Sequence, residues 1–160
     1  MFEDKLSELE SKIGVSFKDK NILLQALTHR SYLNENHQWH LDHNERLEFL
    51  GDAVLELVVT EYLYKNYPNP EGEMTNWRAA LVNANMLAKI SVEFDLNNFV
   101  LLSRGEAKDT GRARQYILAN AMEALIGAIY LDQGYQVSDK FIRKFVIKEL
   151  DQIIEKRLFI

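Results

Sequence analysis

The chain has 160 residues, of which 47% are hydrophobic and 27% are charged, and this is enough apolar content for one domain with a single core. Its 19 basic and 24 acidic residues give a net charge of −5, so the bulk charge does not indicate a strongly basic nucleic-acid binder, although local basic patches stay open. The absence of cysteine excludes a disulfide scaffold, a thiolate metal site and a cysteine nucleophile.

The pattern along the chain predicts helices, because prolines are few and apolar residues recur with the helical period. Helices are predicted over residues 2–13, 19–28, 43–65, 74–93 and 117–131. A last amphipathic helix is predicted to begin with Ser138 as its N-cap, and Gly14 and Gly134 are predicted to end the helices before them. The polar stretch 31–41 and the charged stretch 103–115 are predicted to be loops. The predicted fold class is therefore all-α.

The N-terminal sequence MFEDKLSELE lacks the layout of a signal peptide. No apolar stretch approaches the ~20 residues that a membrane span needs. We therefore expect a soluble, cytoplasmic domain without a membrane partner.

The predicted helix over 43–65 carries four acids in one stripe, namely Glu45, Glu48, Asp52 and Glu56, which fall within roughly 80° at ~100° per residue. The rest of its circumference is apolar, which is typical of a buried helix. Two unit charges about 5 Å apart repel by about 3 kcal/mol at an effective dielectric constant of ~20, so these acids need a counter-charge or raised pKa values. A solvated acidic face is the alternative. The apolar surroundings favour a functional role for the inner acids, whereas Glu56, at the outer end, is expected to be solvated.

A second apolar helix, over 117–131, supplies a partner for this stripe. Asn120, Glu123 and Gly127 share one of its faces, and Gly51 and Gly127 would permit a close approach of the two helices. Such packing would place Glu123 and Asn120 opposite the inner acids. Oxygen ligands without histidine or cysteine favour Mg²⁺ or Mn²⁺, and no histidine has a glutamate three residues before it, as a di-iron carboxylate bundle requires. A hard cation held in this way suits phosphoryl-ester chemistry.

The stretch NERLEFLGDAVLEL (44–57) resembles the signature motif of the ribonuclease III endonuclease domain. Further stretches in the order and spacing of the bacterial enzymes extend the resemblance over most of the chain: LTHRSYLNE (27–35), EGEMTNWRAALVN (71–83), SRGEAKDTGRARQYILAN (103–120) and EALIGAIYLD (123–132). The resemblance implies a multi-helix bundle that forms a two-fold homodimer. It also implies cleavage of double-stranded RNA with Mg²⁺, for which Mn²⁺ can substitute, in ribosomal and messenger RNA processing. The products would carry 5′-phosphate and 3′-hydroxyl ends with short 3′ overhangs.

The resemblance also assigns roles to single positions of this chain. Asp52 and Glu123 match the catalytic acids of the family, and Glu45 matches a further acid of its signature motif. The implied metal ligands are Glu48, Asp52, Asn120 and Glu123.

Phe49 matches the aromatic residue that plugs into the partner subunit in bacterial members of the family. In a monomer it would be an ordinary core residue, and the sequence leaves both interpretations open. Five basic residues are the main candidate contacts to RNA phosphates: Arg78, Arg104, Lys108, Arg112 and Arg114. His29 and Arg30 are further candidates. A solvated loop is the alternative for most of them.

Two departures from the family pattern affect the functional expectation. Asn120 stands where the family usually has aspartate, so a carbonyl oxygen is kept but a negative charge is lost. The alternative function is therefore a weakened or non-cleaving dimeric domain that binds double-stranded RNA. The chain also stops at Ile160, after the apolar end RLFI, whereas bacterial ribonuclease III continues into a double-stranded-RNA-binding domain. We therefore interpret residues 1–160 as an endonuclease domain, truncated or excised from a longer enzyme, rather than as a short natural form.

Overall fold

The computed structural model describes the backbone of residues 2–158 and the side chains of residues 2–156, and helices dominate this range. Its ten α-helices are α1 (Phe2–Ile13), α2 (Lys20–Ala26), α3 (Arg30–Glu35), α4 (Glu45–Asn66), α5 (Glu71–Val82), α6 (Ala84–Ser91), α7 (Arg104–Lys108), α8 (Arg112–Gln133), α9 (Tyr135–Phe145) and α10 (Leu150–Leu158). Short 3₁₀ turns lie at Val92–Phe94, Leu96–Asn98 and Ile147–Glu149. The side chains of the apolar end RLFI lie outside the described residues.

The predicted all-α class is confirmed. Between residues 2 and 158 there is no β-strand, and the only β-type pairing there is a single parallel bridge between Thr28 and Leu101. No helix in this range has both the length and the apolar character that crossing a membrane requires.

Two predicted helix ends are set by glycine. Gly14, with φ of +74°, follows α1, and Gly134, with φ of +87°, follows α8. Both angles lie in the left-handed region that residues with a side chain rarely adopt, so a helix stops there readily. The long helix predicted over 43–65 is also confirmed, as α4.

Both segments predicted to be loops contain a short helix. α3 forms at the start of the polar stretch, because the Nδ1 atom of His29 accepts a hydrogen bond from the Ser31 backbone N–H at 3.1 Å and so caps the helix. α7 forms in the charged stretch, where the Ser103 hydroxyl accepts one from the Glu106 backbone N–H at 3.1 Å. α7 has no buried residue. Its capping side chain, rather than an apolar face, therefore defines it, and the hydrophobic pattern could not reveal it.

The single helix predicted over 74–93 is two helices, α5 and α6. The backbone of Asn83 is extended between them, and its side chain accepts a hydrogen bond from the Met86 backbone N–H at 2.9 Å. The prediction that Ser138 caps the last helix was wrong. Ser138 lies buried inside α9, where its hydroxyl donates to the Gly134 carbonyl at 2.9 Å.

The core is organised around α8. This helix packs most extensively against α4 and also against α2, α6 and α9. A run of its residues is fully buried: Ala124, Leu125, Ile126, Ala128 and Ile129. α8 is therefore the central helix, and the helices packed around it fix the position of its backbone.

Candidate functional site

The acidic residues of the site are brought together by the crossing of α4 and α8. An ideal β-carbon built on Gly51 would overlap the Glu123 carbonyl oxygen and lie 2.8 Å from the Gly127 backbone nitrogen. One built on Gly127 would overlap the Leu47 carbonyl oxygen. The two backbones touch here, as the two glycines predicted, so the side chain of Glu123 stands directly beside the acids of α4.

Arginines from neighbouring elements neutralise both ends of the acidic stripe. Arg30, the first residue of α3, places its Nε atom 3.2 Å from a carboxylate oxygen of Glu45. Arg78 of α5 places its Nε atom 3.0 Å from a carboxylate oxygen of Glu56, and its Nη1 atom donates to the Thr60 hydroxyl at 2.8 Å. Glu56 is therefore ion-paired, and the expectation that it is simply solvated was wrong.

The middle of the stripe has no such compensation. Among the residues whose side chains the structure describes, no lysine or arginine forms an ion pair with Glu48, Asp52 or Glu123. Glu48 and Glu123 are half-buried, and Asp52 is exposed. Within the described part of the chain, three neighbouring carboxyl groups thus lack a basic partner, while the acids on either side of them are paired with arginine.

The ionisation of these groups reflects that arrangement. The pKa of Glu123 is raised to about 8, first by burial and then by a hydrogen bond with the Asp52 carboxyl and by the charges of Asp52, Glu48 and Glu56. Burial, followed by the charges of Glu45 and Asp52, also raises the pKa of Glu48. Without a bound cation, Glu123 is therefore largely protonated at neutral pH.

The donor chemistry of this cluster fits a hard divalent cation. Carboxylate oxygens are the ligands that Mg²⁺ and Mn²⁺ prefer, and a cation would supply the positive charge that the protein does not. Asn120, half-buried one turn before Glu123 on α8, adds an amide oxygen. In the part of the chain with described side chains, however, no three His, Cys, Asp or Glu side chains already converge as a ligand set. Holding one ion with all three carboxylates at once would therefore require rotation of these side chains.

The five basic residues predicted to contact RNA fall into different environments. Arg104, Lys108 and Arg112 are exposed. Arg78 is held by Glu56 and Thr60. Arg114 is buried, at 8% exposure, and its guanidinium donates to other parts of the protein, so it is not placed to contact RNA directly.

Phe49 is not a core residue. Its side chain is 82% exposed, and Leu57 and Tyr64, further along the same side of α4, are 57% and 78% exposed. The expectation that α4 is buried nearly all round was therefore wrong, since an apolar stripe borders the acidic one. Next to Phe49 lies a cavity of about 710 Å³, with apolar walls from Ile22, Leu50 and Leu131.

The arginine partners of Glu45 and Glu56 were missed at the level of sequence. Both Arg30 and Arg78 were predicted only as possible RNA contacts. Neither arginine is close in sequence to its acid, so helical spacing carries no signal for either pair. Only the packing of α3 and α5 beside α4 brings them together.

Comparisons with known proteins agree with this architecture. A family model described as Ribonuclease-III-like matches residues 19–150. The chain is 48% identical over 154 residues to Ribonuclease 3 of Chloroflexus aurantiacus and 47% identical over 146 residues to that of Enterococcus faecalis. These alignments cover 94% and 91% of this chain. The chain spans 63% and 64% of the length of those two relatives.

A solved structure of the nuclease domain of ribonuclease III from Campylobacter jejuni superposes with a TM-score of 0.79 at 43% identity. It covers 88% of this chain and 95% of that domain. Dicer from Giardia, at 20% identity and a TM-score of 0.70, shares the fold. Since the family model spans most of the chain and the Campylobacter domain matches nearly end to end, this chain belongs to the ribonuclease-III-like family.

Proposed function

We propose that this chain is the catalytic domain of a metal-dependent endoribonuclease that cleaves double-stranded RNA. The observation that carries the proposal is the charge pattern of the site. Glu48, Asp52 and Glu123 lie together without a basic partner among the described side chains, whereas the flanking acids are paired with arginines. A protein that only binds RNA has no use for such a centre, because it would repel the phosphates.

In this proposal Glu48, Asp52 and Glu123 hold Mg²⁺, and the amide oxygen of Asn120 is a further ligand. When bound, such a cation polarises the scissile phosphate and lowers the pKa of the attacking water. The carboxyl of Glu123 gives up its proton as the cation binds, so binding is coupled to pH. Asp52 and Glu123 are the proposed catalytic residues, and Glu45, paired with Arg30, is an auxiliary acid at the edge of the site.

The proposed RNA surface consists of Arg104, Lys108 and Arg112, the three exposed basic residues in and beside α7. Contacts to phosphates and 2′-hydroxyl groups are specific for the shape of a duplex and carry little sequence information. The relatives are named Ribonuclease 3, which supports RNA as the substrate. Cleavage to 5′-phosphate and 3′-hydroxyl ends with short 3′ overhangs, in ribosomal and messenger RNA processing, is part of the proposal.

We also propose that the chain works as a two-fold homodimer through the exposed apolar stripe of α4, which contains Phe49, Leu57 and Tyr64. A two-fold axis near the start of α4 would place the Phe49 side chain of each copy against the cavity beside Phe49 of the other, because an isologous interface uses one patch twice. The Campylobacter domain has a region involved in dimer formation, which supports a dimer of this chain.

The competing function is a weakened or non-cleaving domain, which the neutral Asn120 favours. The deciding experiment incubates the protein with a long RNA duplex at low salt, with Mg²⁺, with Mn²⁺ or with EDTA, and analyses product length and end groups. Single-stranded RNA and a DNA duplex of the same sequence are the controls. Short duplex products that depend on the metal are expected. A duplex that is bound in a gel shift but uncut with either metal would overturn the enzyme proposal and favour the competing one.

A further inference from the structure

The segment that carries the proposed RNA surface has little packing to hold it. α7 has no buried residue, and Arg104 and Lys108 on it are exposed. A segment without buried apolar side chains gains little stability from the core, so a few hydrogen bonds decide whether it is ordered.

The first end of this segment is tied to α3. The Ser103 backbone N–H donates to the Ser31 hydroxyl at 3.0 Å, and the Arg104 backbone N–H donates to a carboxylate oxygen of Glu35 at 3.0 Å. The two bonds fix the entry to α7 and leave its far end, near Lys108, to be held by something else.

Arg114, in the first turn of α8, reaches back to that part of the segment. One guanidinium nitrogen donates to the Glu106 backbone carbonyl at 2.8 Å, and another donates to the side-chain oxygen of Asn97 at 2.6 Å. Its Nε atom is buried and has no hydrogen-bond partner among the described residues. A single buried side chain thus joins α7, α8 and the 3₁₀ turn Leu96–Asn98.

We propose that Arg114 is a positioning residue for RNA binding, which fixes α7 so that Arg104, Lys108 and Arg112 are presented to a duplex in an ordered arrangement. The inference rests on the proposed function, because it assumes that these exposed residues meet RNA. Binding by a segment that is already ordered avoids the loss of conformational entropy that a loose segment would suffer on contact. Arg114 therefore acts on the RNA through its neighbours without touching it.

Two variants test this role with different severity. Arg114→Lys keeps the positive charge but cannot reach both partners with a planar fork. Asn97→Ala leaves Arg114 in place and removes one acceptor at the surface, so it preserves the fold if Arg114→Lys does not. Arg143→Lys is the matched control, because Arg143 is an exposed arginine of α9 bonded to Asp139 in its own helix.

The first measurement is limited digestion of the folded proteins with trypsin, which cuts after Lys108 and Arg112 only where the segment can open. Both test variants are expected to be cut there about 10-fold faster than the wild type and the control, as loss of one hydrogen bond to a charged group allows. Unchanged cutting in both variants would overturn the proposal. This measurement does not depend on RNA cleavage.

The second measurement is the steady-state cleavage of an RNA duplex with Mg²⁺. The test variants should raise KM about 10-fold and leave kcat within about 2-fold, because binding is weakened and the metal site is untouched. Faster trypsin cutting with an unchanged KM would overturn the role in RNA binding. If the wild type leaves the duplex uncut, the proposed function fails separately, and affinity in a gel shift then replaces KM as the deciding value.

Discussion

Gly51 of α4 and Gly127 of α8 face each other where the two helix backbones touch. A β-carbon on Gly127 would lie 3.1 Å from the Gly51 nitrogen and would overlap the Leu47 carbonyl oxygen. No side chain separates the helices at this point. The contact sets how closely Glu123 approaches Asp52 and Glu48, so the geometry of the acidic centre follows from two residues that have no functional group.

Replacing Gly127 by alanine should destabilise the fold, because the added methyl meets backbone that cannot move aside alone. We expect a loss of about 1–3 kcal/mol or more in the free energy of unfolding, measured by urea denaturation. Gly72→Ala is the control, since nothing lies within 4 Å of its β-carbon position in α5, and alanine should stabilise that helix by up to ~1 kcal/mol. Equal stability of the two variants would show that the helices do not cross as described.

The contribution of Glu123 to the free energy of unfolding of the metal-free protein should fall as pH rises from about 4.5 to about 8. Across this window the folded protein holds a proton on Glu123, whose pKa is raised from 4.5 to about 8, and the unfolded chain does not. Thermal melts in EDTA at several pH values measure the effect. Glu123→Gln should show a shallower decline than the wild type, and an identical slope in both proteins would contradict the raised pKa.

Asn120→Asp should lower the Mg²⁺ concentration that gives half-maximal cleavage, because it adds a charge to the ligand set. A change of ~10-fold is expected by analogy with losses on changing groups around a metal. In the same titration, the wild type should need less Mn²⁺ than Mg²⁺ for half-maximal cleavage. Superimposable Mg²⁺ curves for the two proteins would show that the asparagine has no functional cost.

Phe49→Ala should weaken the proposed dimer by about 100-fold or more, since two large apolar side chains would leave the interface. Sedimentation at micromolar concentration should give twice the 18.6 kDa of one chain for the wild type and a lower mass for the variant. Val92→Ala is the control, because Val92 is 72% exposed and belongs to a 3₁₀ turn that packs mainly on α1 and α6. A wild type that sediments as a monomer would rule out this interface.

The long helices of the site could be predicted from the sequence because their signals are local. The acidic stripe of α4 and the polar face of α8 follow from helical spacing, and Gly51 and Gly127 indicate the point of contact. The stops at Gly14 and Gly134 are local too, since a single residue takes the left-handed conformation that ends each helix.

The remaining features depend on residues that only the fold brings together. Glu45 pairs with Arg30, and Glu56 pairs with Arg78, only because three helices pack together. The hydrophobic period of a single helix cannot predict such pairs. The burial of Arg114 was missed for the same reason. The exposure of Phe49 was left open, because an apolar residue on a long helix is equally typical of a core and of an interface between copies.

The most direct test compares cleavage by Glu123→Gln and Glu56→Gln. Both replace a glutamate by glutamine, but Glu123 is a proposed metal ligand and Glu56 is not. Single-turnover rates on an end-labelled RNA duplex, with saturating protein and Mg²⁺, measure the chemical step. Glu123→Gln should lose about 100-fold or more of the rate, because it removes a metal ligand, whereas Glu56→Gln should stay within about 10-fold of the wild type, since Glu56 is already neutralised by Arg78. A Glu123→Gln protein that folds and cuts at the wild-type rate would contradict the assignment of the acidic centre as the metal site.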